Sequence, residues 1–103
     1  MSAHDEWSRL RPRYVREWQS RHAGTGVTWS EIEEAFHYGW EAGRDSRYAA
    51  YAWEEAEPDL AAHWYRPQLT SEESSWDYVQ EAVHEGWDQG RSSLRDEREN
   101  LLD

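Results

Sequence analysis

The chain lacks cysteine and lysine, is poor in aliphatic side chains, and has no long apolar run. Without cysteine there is no disulfide framework, no thiolate zinc site and no cysteine nucleophile. No stretch approaches the roughly 20 apolar residues needed to span a bilayer. Residues Met1 to Glu6 are polar and acidic, unlike a signal peptide, which makes a cytoplasmic protein the expectation. There is also no Gly-x-Ser-x-Gly elbow, no phosphate-cradling glycine loop and no zinc-ligand spacing. The chain therefore reads as a non-enzyme without a cofactor.

Positive charge is the next scarcity. Eleven basic residues, all Arg, stand against 22 acids, a formal charge of −11. Such a chain is repelled by phosphate backbones and by anionic lipid surfaces, so neither nucleic acid nor membrane is the expected partner. The deficit is uneven. Residues 1–28 carry five Arg (Arg9, Arg11, Arg13, Arg16, Arg21) against Asp5, Glu6 and Glu17, so the rest of the chain holds the whole negative excess.

What the chain has instead is tryptophan, eight in 103 residues. Each buried Trp removes about 150–250 Å² from water, so a few can replace many Leu and Val. That argues for an ordered chain, long enough for one compact domain over 1–103 and too short for two independent ones.

The tryptophans are also periodic. Residues 29–44, WSEIEEAFHYGWEAGR, align with 76–91, WDYVQEAVHEGWDQGR, with Trp, Glu, Ala, His, Gly, Trp, Gly and Arg shared. Upstream, Trp7 pairs with Trp53, Pro12 with Pro58 and Trp18 with Trp64 at an offset of 46. The chain thus reads as two repeats, about 5–48 and 51–95, with a C-terminal helical extension over about 92–103. All eight Trp (Trp7, Trp18, Trp29, Trp40, Trp53, Trp64, Trp76, Trp87) fall into matched pairs and are the expected aromatic core.

Each repeat reads as two helices, giving an all-α fold of four main helices: two tandem helix-loop-helix repeats with pseudo-two-fold symmetry. Thr28 with Glu31 forms a capping-box pattern, and Ser74 or Ser75 precedes Trp76 in the same role. At 100° per residue Trp29, Ile32, Phe36, Gly39, Trp40 and Gly43 share one arc. Trp76, Val79, Val83, Gly86, Trp87 and Gly90 repeat it, and Leu94 and Leu101 extend it. Pro12 and Pro58 predict a kink or break in the first helix of each repeat. Loops are expected at 22–27, 45–52 and 66–74.

Gly39, Gly43, Gly86 and Gly90 sit within the arcs, where each costs about 1 kcal/mol relative to Ala. The spacing predicts helices two and four crossing at these glycines; making room for a neighbouring Trp ring is the simpler alternative. Glu34-x-x-His37 and Glu81-x-x-His84 have the spacing of carboxylate-bridged di-iron ligands. They lie on the polar side of the plot, however, and Glu17 is matched by His63 rather than by an acid. Paired boundary histidines are the plainer reading. Tyr38, Tyr48, Tyr51, Tyr65 and Tyr78 are candidates for an exposed patch facing a partner. Finally, Arg9, Arg11 and Arg13 correspond to Glu55, Glu57 and Asp59, equivalent faces of opposite sign that could attract within or between molecules.

The pattern Tyr38-Gly-Trp-Glu-Ala-Gly43, Arg47-Tyr48, Trp53-Glu-Glu-Ala-Glu-Pro-Asp-Leu60, Trp64, Trp76 and Gly86-Trp87 resembles uncharacterised Trp/Tyr-rich helical repeat modules of bacteria. Those come from environmental, stress-tolerant species and have no assigned activity. The likeness runs from about Arg13 to Arg91 and implies a bacterial, stress-related setting. The expected role is a non-enzymatic interaction or structural module that binds another protein or itself. The alternatives are an acidic nucleic-acid mimic that occupies a basic protein, and a metal-binding helical protein using the Glu-x-x-His pairs.

Overall fold

A computed structural model describes residues 3–64 and 75–102, with side chains over 5–64 and 75–99. Among the described residues there are four α-helices and one short 3₁₀ turn: α1 (Ala3–Arg21), α2 (Trp29–Arg44), the 3₁₀ turn Ser46–Tyr48, α3 (Trp53–Ala62) and α4 (Trp76–Leu102). No described helix is long and apolar enough to cross a membrane. The chain divides into two compact units, Met1–Glu33 and Glu34–Asp103, so the boundary falls inside α2 rather than between the sequence repeats.

The first unit is an aromatic cluster built on one helix face. Trp7, Leu10, Tyr14 and Trp18 follow one another at helical spacing and are all buried. Trp29 closes the cluster, with its ring 6.5 Å from Trp7 and 6.4 Å from Trp18. Asp5 and Glu6 in the first turn of α1 and Arg21 in the last suit the helix dipole. The connection to α2 depends on Gly24 and Gly26, whose φ values of 86° and 82° lie where side chains are strained. Thr25 Oγ1 donates to the His22 carbonyl (2.7 Å) inside that turn.

The proline breaks expected in the first helices do not occur. Pro12 lies inside α1 and Pro58 inside α3, and each helix runs through. Both prolines are exposed, as are Ser8 and Glu54 four residues before them. The carbonyls that lose a helical donor therefore sit on the solvent side, where water can serve them. The buried faces hold both helices together.

In the second unit the core consists of Phe36, Trp40, Tyr48, Ala56, Leu60, Trp64, Val79, Ala82, Val83 and Trp87. Asp45 ends α2 by turning its side chain to the backbone: Oδ1 accepts from Arg47 N at 2.9 Å and caps the 3₁₀ turn. At α3 the Ala52 amide donates to Glu55 Oε1 (3.0 Å), and at α4 the amides of Tyr78 and Val79 both donate to the Ser75 carbonyl at 3.1 Å. The 66–74 loop, Ser74, Tyr65 and the Leu101 side chain lie outside the described residues.

Candidate interaction surface

The apolar arcs of α2 and α4 bring the two backbones together at four glycines. A β-carbon on Gly39 would stand 2.8 Å from the Val83 carbonyl carbon, and one on Gly86 would stand 2.9 Å from that of Phe36. One on Gly43 would stand 3.2 Å from the Trp87 carbonyl carbon, and one on Gly90 would stand 3.0 Å from that of Trp40. All are closer than carbon atoms normally pack, and the carbonyl oxygens are nearer still. The contacts are reciprocal: each glycine faces the residue three positions before the partner's equivalent glycine. The carbonyl oxygens already accept helical hydrogen bonds, and a glycine Cα–H can face the lone pair that remains.

Beyond the glycines each helix carries an Arg that lies over its own Trp. The Arg44 guanidinium is 4.8 Å from the Trp40 ring centre, and that of Arg91 is 4.2 Å from Trp87. Both then cross to the other helix's continuation. Arg44 donates through Nη1 to Ser93 Oγ (2.6 Å) and through Nη2 to Glu97 Oε2 (2.8 Å). Arg91 Nη2 donates to the carbonyls of Tyr48 (2.6 Å) and Tyr51 (2.5 Å). Plotted on the polar side of its helix, Arg44 is nonetheless only 12% exposed, because its head is held in this bridge. The Nε atoms of both are buried without a hydrogen-bond partner among the described residues.

Of the tyrosines proposed as an exposed patch, only Tyr51 is exposed among those described, at 42%. Tyr48 does not belong to such a patch. It is buried against Trp87 at 6.0 Å, and its hydroxyl donates to Asp59 Oδ2. That bond, with burial, pushes the Tyr48 phenol up to about 12. Tyr38 and Tyr78 are half-buried, and Tyr38 donates its hydroxyl to the Leu60 carbonyl (2.7 Å). Beside Tyr48, Arg47 bonds Asp45 and holds its carboxyl below the usual carboxylate range.

The Glu-x-x-His pairs do not gather. Among the described residues Glu34, His37 and His84 belong to no group of three potential ligands. His37 Nε2 meets Glu41 Oε1 at 2.8 Å on its own helix, and His84 Nε2 stands 3.7 Å from Asp88 Oδ2 on its own. The His84 ring is stacked on Trp53 at 4.4 Å and 2°. Six of the eight tryptophans are buried; Trp53 and Trp76 are half-buried at the edge.

The outer faces of α1 and α3 carry the contrast in charge. From Ser8 to Arg16 and from Glu54 to Ala62 the pattern of exposure is the same, position for position. The exposed face of α1 offers Arg9, Arg13 and Arg16, and that of α3 offers Glu54, Glu55 and Asp59. Part of the α1 charge is met locally. Arg9 pairs with Glu6 (2.8 Å), Arg13 with Glu17 (3.3 Å), and Arg11 with Glu33 (2.5 Å), which holds the Arg11 guanidinium above its usual range. Glu57 accepts from Trp76 Nε1 at 3.4 Å.

Sequence reasoning missed the Arg44 and Arg91 bridges. Their shared place after Gly-x-x-x-Gly was visible, but the carbonyls that Arg91 reaches are backbone atoms that no residue type announces. Compared with known protein families, with curated proteins and with solved structures, the chain matches none.

Proposed function

We propose that the chain is a non-enzymatic interaction module that associates with a second copy of itself, α1 of one molecule lying against α3 of the other. Its halves are then tandem copies of one helix-loop-helix unit, and the reciprocal glycine contacts support a pseudo-two-fold between them. The observation that carries the reading is the identical exposure of two equivalent helix faces with opposite charge. Copies of one fold that keep the same buried positions and reverse their outer sign are complementary surfaces of similar shape. Ion pairs between such faces steer and orient more than they hold, so the association is weak and salt-sensitive. Sedimentation at low salt should show a species heavier than the monomer, which dissociates at about 1 M salt, where screening acts within roughly 3 Å.

Charge reversal tests the pairing directly. Arg13→Glu/Arg16→Glu and Glu54→Arg/Glu55→Arg should each be monomeric and still helical. Mixing the two should restore association, since the acidic α1 of one meets the basic α3 of the other. A wild-type chain that stays monomeric at low salt, or a mixture that does not associate, ends the proposal.

A second reading draws on where the net charge lies. Residues 1–33 balance five Arg with five acids, so 34–103 carry the whole −11. A surface of that kind could stand in for nucleic acid in the groove of a basic protein. It would be favoured by a captured basic partner that DNA displaces.

A further inference from the structure

Positive charge is scarce here, yet three of the eleven Arg line one hollow. Arg91, Arg95 and Arg98 follow one another along one face of α4 at steps of four and three residues. With Leu94, Gly43 and Ala49 they surround a concavity of about 240 Å³. Like charges at these spacings repel each other along a helix. The helix dipole does not account for them. Its influence fades within the last turn, which in α4 contains no basic residue.

Nor do partners among the described residues account for them. Arg95 and Arg98 are exposed and make no ion pair or hydrogen bond with a described residue, although Asp96 and Glu99 are neighbours on the same helix. Arg91 is fixed beneath them by the Tyr48 and Tyr51 carbonyls, with its Nε buried and unpartnered. At the offset of 47, Tyr48 and Tyr51 stand where Arg95 and Arg98 do, so this concentration of charge follows the second Gly-x-x-x-Gly-Arg alone. The opposite wall is small and apolar. Gly43 has no side chain because the crossing forbids one, and Ala49 follows the 3₁₀ turn.

We propose that this hollow binds a phosphoryl group carried on a small apolar body, as in a phosphate monoester. Planar guanidinium forks match tetrahedral oxyanions; the exposed Arg95 and Arg98 supply two, whose charges balance a dianion, while the fixed Arg91 lines the hollow behind them. Leu94 and Ala49 give the organic part an apolar wall. The chain's overall negative charge does not forbid this, because at physiological salt charges beyond about 8 Å are largely screened. The site is independent of the α1 and α3 faces.

Titrating the full chain with phenyl phosphate, inorganic phosphate and benzoate, followed by calorimetry and Arg Nε–H resonances, tests the assignment. Phenyl phosphate should shift Arg91, Arg95 and Arg98 together with the Ala49 amide, and inorganic phosphate should shift the same groups. Arg95→Gln/Arg98→Gln should melt as the wild type does and bind phenyl phosphate at least about tenfold more weakly. The proposal is overturned if the variant binds as tightly as wild type. Shifts spread equally over Arg9, Arg13 and Arg16 also overturn it, and so does benzoate binding as well as phenyl phosphate.

Discussion

The segments that follow Arg44 and Arg91 begin from the same place and end differently. Both helices pass through Gly-x-x-x-Gly-Arg, and both Arg lie over the preceding Trp. After Arg44 the chain leaves the helix for a 3₁₀ turn; after Arg91 it continues as helix to Leu102. The next residue differs. Asp45 offers a carboxylate that caps the Arg47 amide outside the helix, where Ser92 stands after Arg91; Ser93, in the place of Ser46, turns its hydroxyl back to the Gly90 carbonyl (3.1 Å) within the helix. One exit thus delivers two tyrosines, the other two arginines that meet no partner among the described residues. Packing holds α2 and α4 alike at the crossing, and the segments beyond it differ.

The crossing itself is where substitution should cost most. Gly39→Val and Gly86→Val each force a β-branched side chain against the partner's carbonyl, and backbone cannot swing aside as a rotamer can. Each should lose more than about 3 kcal/mol in chemical denaturation, or fail to fold. Comparable losses would sharpen the likeness between the two sides; an unchanged melting curve for either would break it.

The bridging arginines should separate the exits. Arg91→Met keeps an apolar stem over Trp87 and leaves the carbonyls of Tyr48 and Tyr51 without their charged donor, at about 1–3 kcal/mol. Amide exchange should quicken over 46–51 and not over 92–97. Arg44→Met should do the reverse, acting through Ser93 and Glu97. If the two variants loosen the same segment, the bridges are not separate.

Asp45→Ala removes the cap that turns the first exit out of the helix. The loss should be about 1 kcal/mol, the usual worth of a cap, with faster exchange at the Arg47 amide. The smallest effect concerns Tyr48. Its phenol is raised above the ordinary 10.0 to about 12, so its contribution to stability is complete below pH 10 and is lost as pH rises through about 12. Tyrosinate absorbance should show a late step in the wild type that Tyr48→Phe removes.

Some of this was legible in the sequence and some was not, for physical reasons. The arc of Trp29, Ile32, Phe36 and Trp40 could be read because burial follows the helical period, and all four are buried. Pro12 and Pro58 suggested breaks because proline removes a helical donor. That argument ignores which side of the helix the orphaned carbonyl faces, and here it is the wet side. Tyr48 resembled its exposed neighbour Tyr51 in composition and spacing. Its burial depends on Asp59, eleven residues away on another helix, and no local pattern encodes that pairing.

A joint made of main chain against main chain leaves little to the identity of the side chains around it. Every residue type brings the same carbonyl, so Phe36 and Val83, or Trp40 and Trp87, present the same atom to the opposing glycine. Four positions are forbidden a β-carbon, and the outward positions are released from holding the helices in register. Such a molecule can exchange the character of its outer faces, from basic to acidic or from tyrosine to arginine, without rebuilding its frame. It is tolerant of drift on its surface because it is intolerant at its crossing.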